Sequence, residues 1–342
     1  MRAALLESVG HIVLKDLPMP AIQREDEVLI QVKTVGVCGS EVHAFEGTHP
    51  YRKPPVILGH EMSGVVVEIG QAVKGFKPGD RVIVDPQVGC GECEFCRAGD
   101  LNLCPSKRVL GTAAWPGAFG EFFTSPQEAV FHLPDSLSFE QGSLIEPLTV
   151  AVHVAARTEI KAGTSVAVLG SGSIGGMVCG VAHAYGANPL IAVDIRSHCL
   201  DAARERMGAT HDFLMSEDLP AKIKKLTDGN GVDVVVIAGD DPSLVQRGLE
   251  MVRRRGIIAL VAFITQAPLQ FKAFDAISRE VNILGSIMSN HADVRRAIEL
   301  VALGQVDVTG IVTHHLPIEE AQRGMELAQT KQDGAIKVLL YY

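Results

Sequence analysis

The sequence predicts an α/β protein in two parts, a mostly antiparallel β domain and a doubly wound parallel sheet inserted into it. Three observations carry this. Up to about residue 147, short β-rich runs alternate with Gly/Pro turns. From 148 to 289, near-continuous apolar strands alternate with helical stretches, the pattern of a parallel sheet covered on both faces. By 281–284 that sheet is complete, so the tail from 290 should rejoin the first domain.

In the first part, strands are expected at 27–35, 64–69 and 81–85, with a turn at Lys77-Pro78-Gly79-Asp80. In the second, strands are expected at 166–169, 190–194, 232–238 and 256–263. Helices are expected at 174–185, near 199–207 and at 244–254. The basic run Arg253-Arg254-Arg255 is expected to end the last of these, where positive charge suits the helix dipole. In the tail, 293–303 reads as an amphipathic helix, and 308–316 and 335–340 as strands. The domains are thus 1–147 with 290–342, and 148–289.

At 342 residues, 47% apolar and 21% charged, the chain has ample core-forming material. Its net charge of −9 argues against nucleic acid and anionic membranes as main partners. No apolar run is long enough to span a bilayer, and the first residues lack a cleavage pattern, so a cytoplasmic location is expected. Four of the seven cysteines fall between Cys90 and Cys104. In a reducing compartment that bunching means metal rather than disulfides.

Gly170-Ser171-Gly172-Ser173-Ile174-Gly175 is GxGxxG placed directly after a strand and before a helix. Gly170 allows the tight turn, Gly172 lets backbone approach a pyrophosphate, and Gly175 lets helix pack on strand. Unpaired N–H groups from Ser173 and Ile174 onward suit the phosphates. A carboxylate at the end of the second strand, Asp194, accepts ribose hydroxyls and repels a 2′-phosphate, which favours NAD. Arg196, two residues on, pulls the other way, because arginine can hold that phosphate. A glycine-rich turn without a ligand is the plain alternative.

Cys90, Cys93, Cys96 and Cys104 give C-x2-C-x2-C-x7-C. Four thiolates can close a tetrahedral zinc with no open position, which makes that site structural. An iron–sulfur cluster competes, but such motifs end in a shorter spacing and come in pairs. Elsewhere, Cys38-Gly39-Ser40-Glu41-Val42-His43 and Gly59-His60-Glu61 offer thiolate, imidazole and carboxylate. That donor set suits zinc with an open position. One thiolate and one carboxylate would balance the two charges of the metal. The competing reading is a buried Cys near unrelated histidines.

Taken in order, these landmarks with Glu146-Pro147-Leu148 resemble the zinc-dependent medium-chain dehydrogenases/reductases over essentially the whole chain. Within them the chain is most similar to the sorbitol dehydrogenase-like polyol branch, where Glu replaces a second zinc-binding Cys, as at Glu146. The resemblance implies a GroES-like domain (1–147 and 290–342) with a structural zinc lobe at about 85–106, and an NAD-binding Rossmann domain (148–289). It implies two zinc ions per chain. The catalytic one would be held by Cys38, His60 and Glu61, with Glu146 as fourth ligand or as partner of the zinc-bound water. Ser40 would take the proton of the substrate hydroxyl and pass it through the cofactor ribose to His43, and Glu41 would orient His60.

The activity implied is oxidation of a secondary alcohol of a polyol, sugar acid or cyclitol to a ketone, with hydride transfer to NAD. Rival readings are an L-threonine 3-dehydrogenase-like or butanediol dehydrogenase, a zinc-free quinone reductase, and a non-catalytic metal- and nucleotide-binding protein. A homo-oligomer is implied, a tetramer first and a dimer next. Departures from the polyol branch are Ala44 in place of an aromatic, Met288 and Ser289 in place of an Arg and an aromatic, and Ala262 where Gly is usual. By family position Trp115 borders the substrate cleft and is a pocket candidate.

Overall fold

The computed structural model describes residues 1–264 and 268–342. One compact unit comprises Met1–Glu146, Asn290–Ala302 and Val312–Tyr342, and a second comprises Pro147–Ser289 with Leu303–Ile311.

The first unit is built on the ten-residue strand Glu27–Gly36, whose β-branched and aliphatic side chains are buried along nearly its whole length. Antiparallel partners flank it: Glu61–Ile69, Phe122–Pro126 and Lys337–Tyr341. The register sets Gly36 opposite Glu61 in one partner and opposite Leu339 in another. This brings the end of a C-terminal strand beside residues from the first quarter of the chain. Arg81–Val84 and Val130–His132 extend the sheet on one side, and Val312–Pro317 adds a parallel strand on the other. Val28, Ile30, Val32, Met62, Phe119 and Leu340 are among the residues of its core.

The second unit is a six-stranded, all-parallel sheet. Its order is His211–Leu214, Leu190–Asp194, Val166–Leu169, Val232–Ile237, Val252–Leu260, Asn282–Gly285. Val166–Leu169 comes first in the chain yet sits third, so the winding direction reverses at its carboxyl end. In open α/β sheets that is where ligands bind. All four of its side chains are buried, which explains the unbroken apolar run.

Two expectations need correction. The segment Leu303–Ile311 belongs to the second unit, not the first. Glycines in helix Ser173–Ala184 make room for it: a Cβ at Gly176 would lie 2.9 Å from Ile311, and one at Gly180 would lie 3.0 Å from Val306. Arg253–Arg255 lie in strand Val252–Leu260 rather than at a helix end. Two of the three charges meet a carboxylate, Arg253 with Asp233 at 2.5 Å and Arg255 with Glu280 at 2.8 Å, while Arg254 donates to Ser278 O. The strand is irregular there, between the pairs Val232–Val252 and Val234–Ile257. Among the described residues, no helix is long and apolar enough to cross a membrane.

Candidate active site and metal centres

Cys38 ends the turn after Glu27–Gly36, and His60 and Glu61 stand where Glu61–Ile69 begins. Two neighbouring strand ends therefore deliver three donors, and their ligand atoms lie within 4.8 Å of one another. His60 and Glu61 are buried and Cys38 is partly so. Gly36 is required here, because a Cβ at that position would lie 2.1 Å from Glu61 Oε2. Gly59, with φ +93°, packs against Phe119 and presents His60.

Each donor is held from behind. His60 Nδ1 donates to Glu41 Oε1 at 2.8 Å, which leaves Nε2 as the free ligating nitrogen. The same oxygen accepts from Gly59 N at 2.7 Å, and Glu41 Oε2 accepts from Cys38 N at 2.9 Å. Glu41 is fully buried, so one carboxylate pins both metal-facing segments. Glu61 receives Lys337 Nζ on both oxygens, at 2.8 and 2.7 Å, and that ammonium also donates to Val37 O at 3.2 Å. Each oxygen of Glu61 keeps lone-pair capacity for a metal. Thiolate, imidazole and carboxylate so arranged fit zinc with an open position.

Ser40 and His43 lie on helix Gly39–Phe45 three residues apart, hence on one face. Ser40 Oγ donates to Cys38 Sγ at 3.4 Å and accepts from Arg52 Nη1 at 2.8 Å. His43, with 17% of its side chain exposed, hydrogen-bonds Thr48 Oγ1 at 3.2 Å. Glu146, in the first turn of helix Ile145–Arg157, is close enough to feel the charges of His60, Glu61 and Lys337 but is not part of the donor trio. Desolvation, opposed by His60 and reinforced by Glu61, pushes its carboxyl up to about 7.

The cysteine lobe gathers its four Sγ atoms within 4.8 Å. The backbone N–H groups of Cys90, Cys93 and Cys96 donate to the sulfurs of Cys104, Cys90 and Cys93, each at 3.4 Å. Gly89 leaves the space Cys96 needs, since a Cβ there would lie 2.5 Å from its sulfur. All four cysteines are free. Four sulfurs stabilised by N–H donors and enclosing one point fit a closed tetrahedral zinc.

In the second unit, Gly170 takes φ +92° against Gly239, and a Cβ at Gly175 would collide with Gly170 O at 1.8 Å. Gly172, in contrast, faces nothing within 4 Å, and Ser173 Oγ is buried without a partner. An open backbone cradle beside an unsatisfied hydroxyl at a helix start fits a dinucleotide pyrophosphate. Ile174 follows Ser173 in the first turn of that helix. Asp194 is buried and accepts from Ser171 N at 2.7 Å and Arg196 N at 2.9 Å, which fixes its carboxylate at the strand end.

The alcohol dehydrogenase GroES-like domain model matches residues 24–135, and the zinc-binding dehydrogenase model matches 173–303. Sorbitol dehydrogenase of Bacillus subtilis is 38% identical over 346 residues, covering 100% of this chain and 97% of its own. The chain belongs to the zinc-dependent medium-chain dehydrogenase/reductase family. Another medium-chain relative, the probable D-xylulose reductase A of Aspergillus clavatus, is 35% identical over 350 residues, covering 98% of this chain and 95% of its own. The crystal structure of 2R,3R-butanediol dehydrogenase from Bacillus subtilis superposes with a TM-score of 0.91 at 28% identity, covering 100% and 99% of the two chains. This medium-chain dehydrogenase is accordingly an oxidoreductase acting on CH–OH groups, with zinc and a nicotinamide cofactor.

Two residues of the site escape sequence reading, Lys337 and Arg52. Lys337 leaves a trace, a lone cation inside an apolar strand run. Arg52, in a Pro-flanked loop, leaves none. Trp115 is not a pocket residue: it is 4% exposed in the core, and its Nε1 donates to Thr124 O at 2.8 Å. Of the departures, Ala44 is buried in the core and Ser289 Oγ donates to Thr149 Oγ1 at 2.7 Å.

Proposed function

We propose that this dehydrogenase oxidises a secondary alcohol of a polyol, sugar acid or cyclitol to the ketone. NAD is the hydride acceptor, with one zinc at Cys38, His60 and Glu61 and a second in the cysteine lobe. The observation that carries the reading is the buried Cys38–His60–Glu61 trio with Glu41 and Lys337 fixed behind it. Bound there, zinc would polarise the substrate hydroxyl oxygen, and NAD held at Gly170–Gly175 would take the hydride.

The chain's own residues handle the proton and the charge. The alcohol loses a hydride from carbon and a proton from oxygen. Ser40 accepts that proton and releases its own toward partly exposed His43, whose side chain reaches solvent. Glu41 keeps the His60 ring in one tautomer, and Lys337 offsets the buried charge of Glu61. Glu146, with its carboxyl near neutrality, stands as hydrogen-bond partner to the hydroxyl or water in the open position. Asp194, held at the strand end, favours NAD over a 2′-phosphorylated cofactor, and Arg196 lies beside it. Exposed Phe274 (74%) and Ile277 (70%), with Phe263 and Ile287, support self-association, a homotetramer first and a homodimer next. The compartment we assign is the cytoplasm.

A short diol is the second reading, favoured by Ala44 and Ser289, which are buried where the polyol branch carries substrate-holding groups. Initial rates of NADH formation over polyols, aldonates, cyclitols, L-threonine and 2,3-butanediol test both. The proposal expects the highest kcat/KM within the first three classes, with NAD preferred over NADP. A best rate on threonine or butanediol, or on NADP, contradicts it.

A further inference from the structure

Arg52 is buried, with 3% of its surface exposed, and no carboxylate lies within ion-pair distance among the described residues. The buried Glu41 carboxylate feels its charge without closing an ion pair, and a desolvated guanidinium so placed is expensive to keep. Its contacts show where it is aimed. Nη2 donates to Leu110 O at 3.0 Å, its backbone N donates to His49 Nδ1 at 3.1 Å, and Nη1 donates to Ser40 Oγ at 2.8 Å. Nε is buried with no partner. The group is clamped at both ends, and one clamp is the hydroxyl assigned above to carry the proton.

A guanidinium can only donate, so Ser40 Oγ must accept from it. A serine hydroxyl has one proton and two lone pairs. With one lone pair on Arg52, what remains is one lone pair and one proton, the two things a relay needs. The proton now points to Cys38 Sγ at 3.4 Å. A charge-assisted bond holds the oxygen in place, and the nearby positive charge stabilises it as its proton departs. We propose that Arg52 is a positioning residue that orients and polarises the Ser40 hydroxyl for proton transfer. This rests on the reading of Ser40 as first proton carrier.

The test is a double-mutant cycle in the zinc-loaded enzyme: Arg52→Met, Arg52→Lys, Ser40→Ala and the two pairs. Its readouts are kcat, KM, the solvent deuterium isotope effect, zinc content and NADH binding by fluorescence. Arg52→Met should lower kcat ~10- to 100-fold, with KM changed less than about threefold. It should raise the solvent isotope effect and leave zinc content and NADH binding at wild-type levels. Arg52→Lys should recover part of the loss. In the Ser40→Ala background either Arg52 change should cost less than about twofold.

An undiminished loss in that background overturns the proposal, as does a loss that follows zinc content. Should Arg52→Met not fold, Arg52→Lys carries the same cycle. Wild-type turnover by Ser40→Ala removes the relay reading itself. An impaired Ser40→Ala beside an unaffected Arg52→Met removes the role of Arg52 alone.

Discussion

Lys337 shows how one residue can decide whether a buried site is tolerable. The ammonium meets both oxygens of Glu61, and both side chains are almost wholly inaccessible, at 2% and 1%. Such a pair adds little net stability over an apolar substitute, but breaking it leaves an uncompensated charge. In the zinc-free protein, Lys337→Met should therefore cost about 3–5 kcal/mol, seen as a lower urea midpoint. An unchanged midpoint would show that Glu61 is compensated by another group. This pairing was out of reach of the sequence because its members are 276 residues apart. Cys38, and likewise His60 and Glu61, were legible as donors because their chemistry is visible in short contiguous runs, and the structure brings the three together. Trp115 misled for the opposite reason: a position bordering a cleft says nothing of where an indole turns when a backbone carbonyl offers it a hydrogen bond.

Among the elements, the cysteine lobe is the most self-contained. Its only helix of α type, Glu94–Ala98, buries no residue, so it has almost no apolar core of its own. A four-thiolate metal would then supply most of its order, as in small domains that do not fold without zinc. Cys93→Ser should remove one equivalent of zinc while the other remains, and should expose the lobe to limited proteolysis between 90 and 104. Retention of both equivalents would contradict the assignment. The strands of the parallel sheet were legible from their apolar runs, down to Val166–Leu169. The Arg253–Arg255 run was not, because a helix dipole and acidic partners, one on a strand and one in a turn, satisfy positive charge equally well. Only the partners Asp233 and Glu280 distinguish the two.

At the scale of the molecule, the antiparallel unit with its parallel companion was readable from the change in strand pattern near Glu146. The return of the tail was readable too, since the parallel sheet ends at Asn282–Gly285. The detour of Leu303–Ile311 was not, because it depends on Gly176 and Gly180 lying under Ile311 and Val306. What the fold accomplishes is a division of labour. One unit carries the Cys38, His60 and Glu61 donors with the proposed proton path, and the other carries the glycine-rich turn proposed to cradle the dinucleotide. The central claim is that Cys38, His60 and Glu61 form the catalytic metal site of an NAD-dependent alcohol oxidation. Its most direct test is NADH formation from the best alcohol by wild type and His60→Ala, with zinc content and NADH binding measured on the same preparations. The account predicts that His60→Ala loses turnover and one equivalent of zinc yet binds NADH as wild type does. Wild-type turnover by His60→Ala would contradict it.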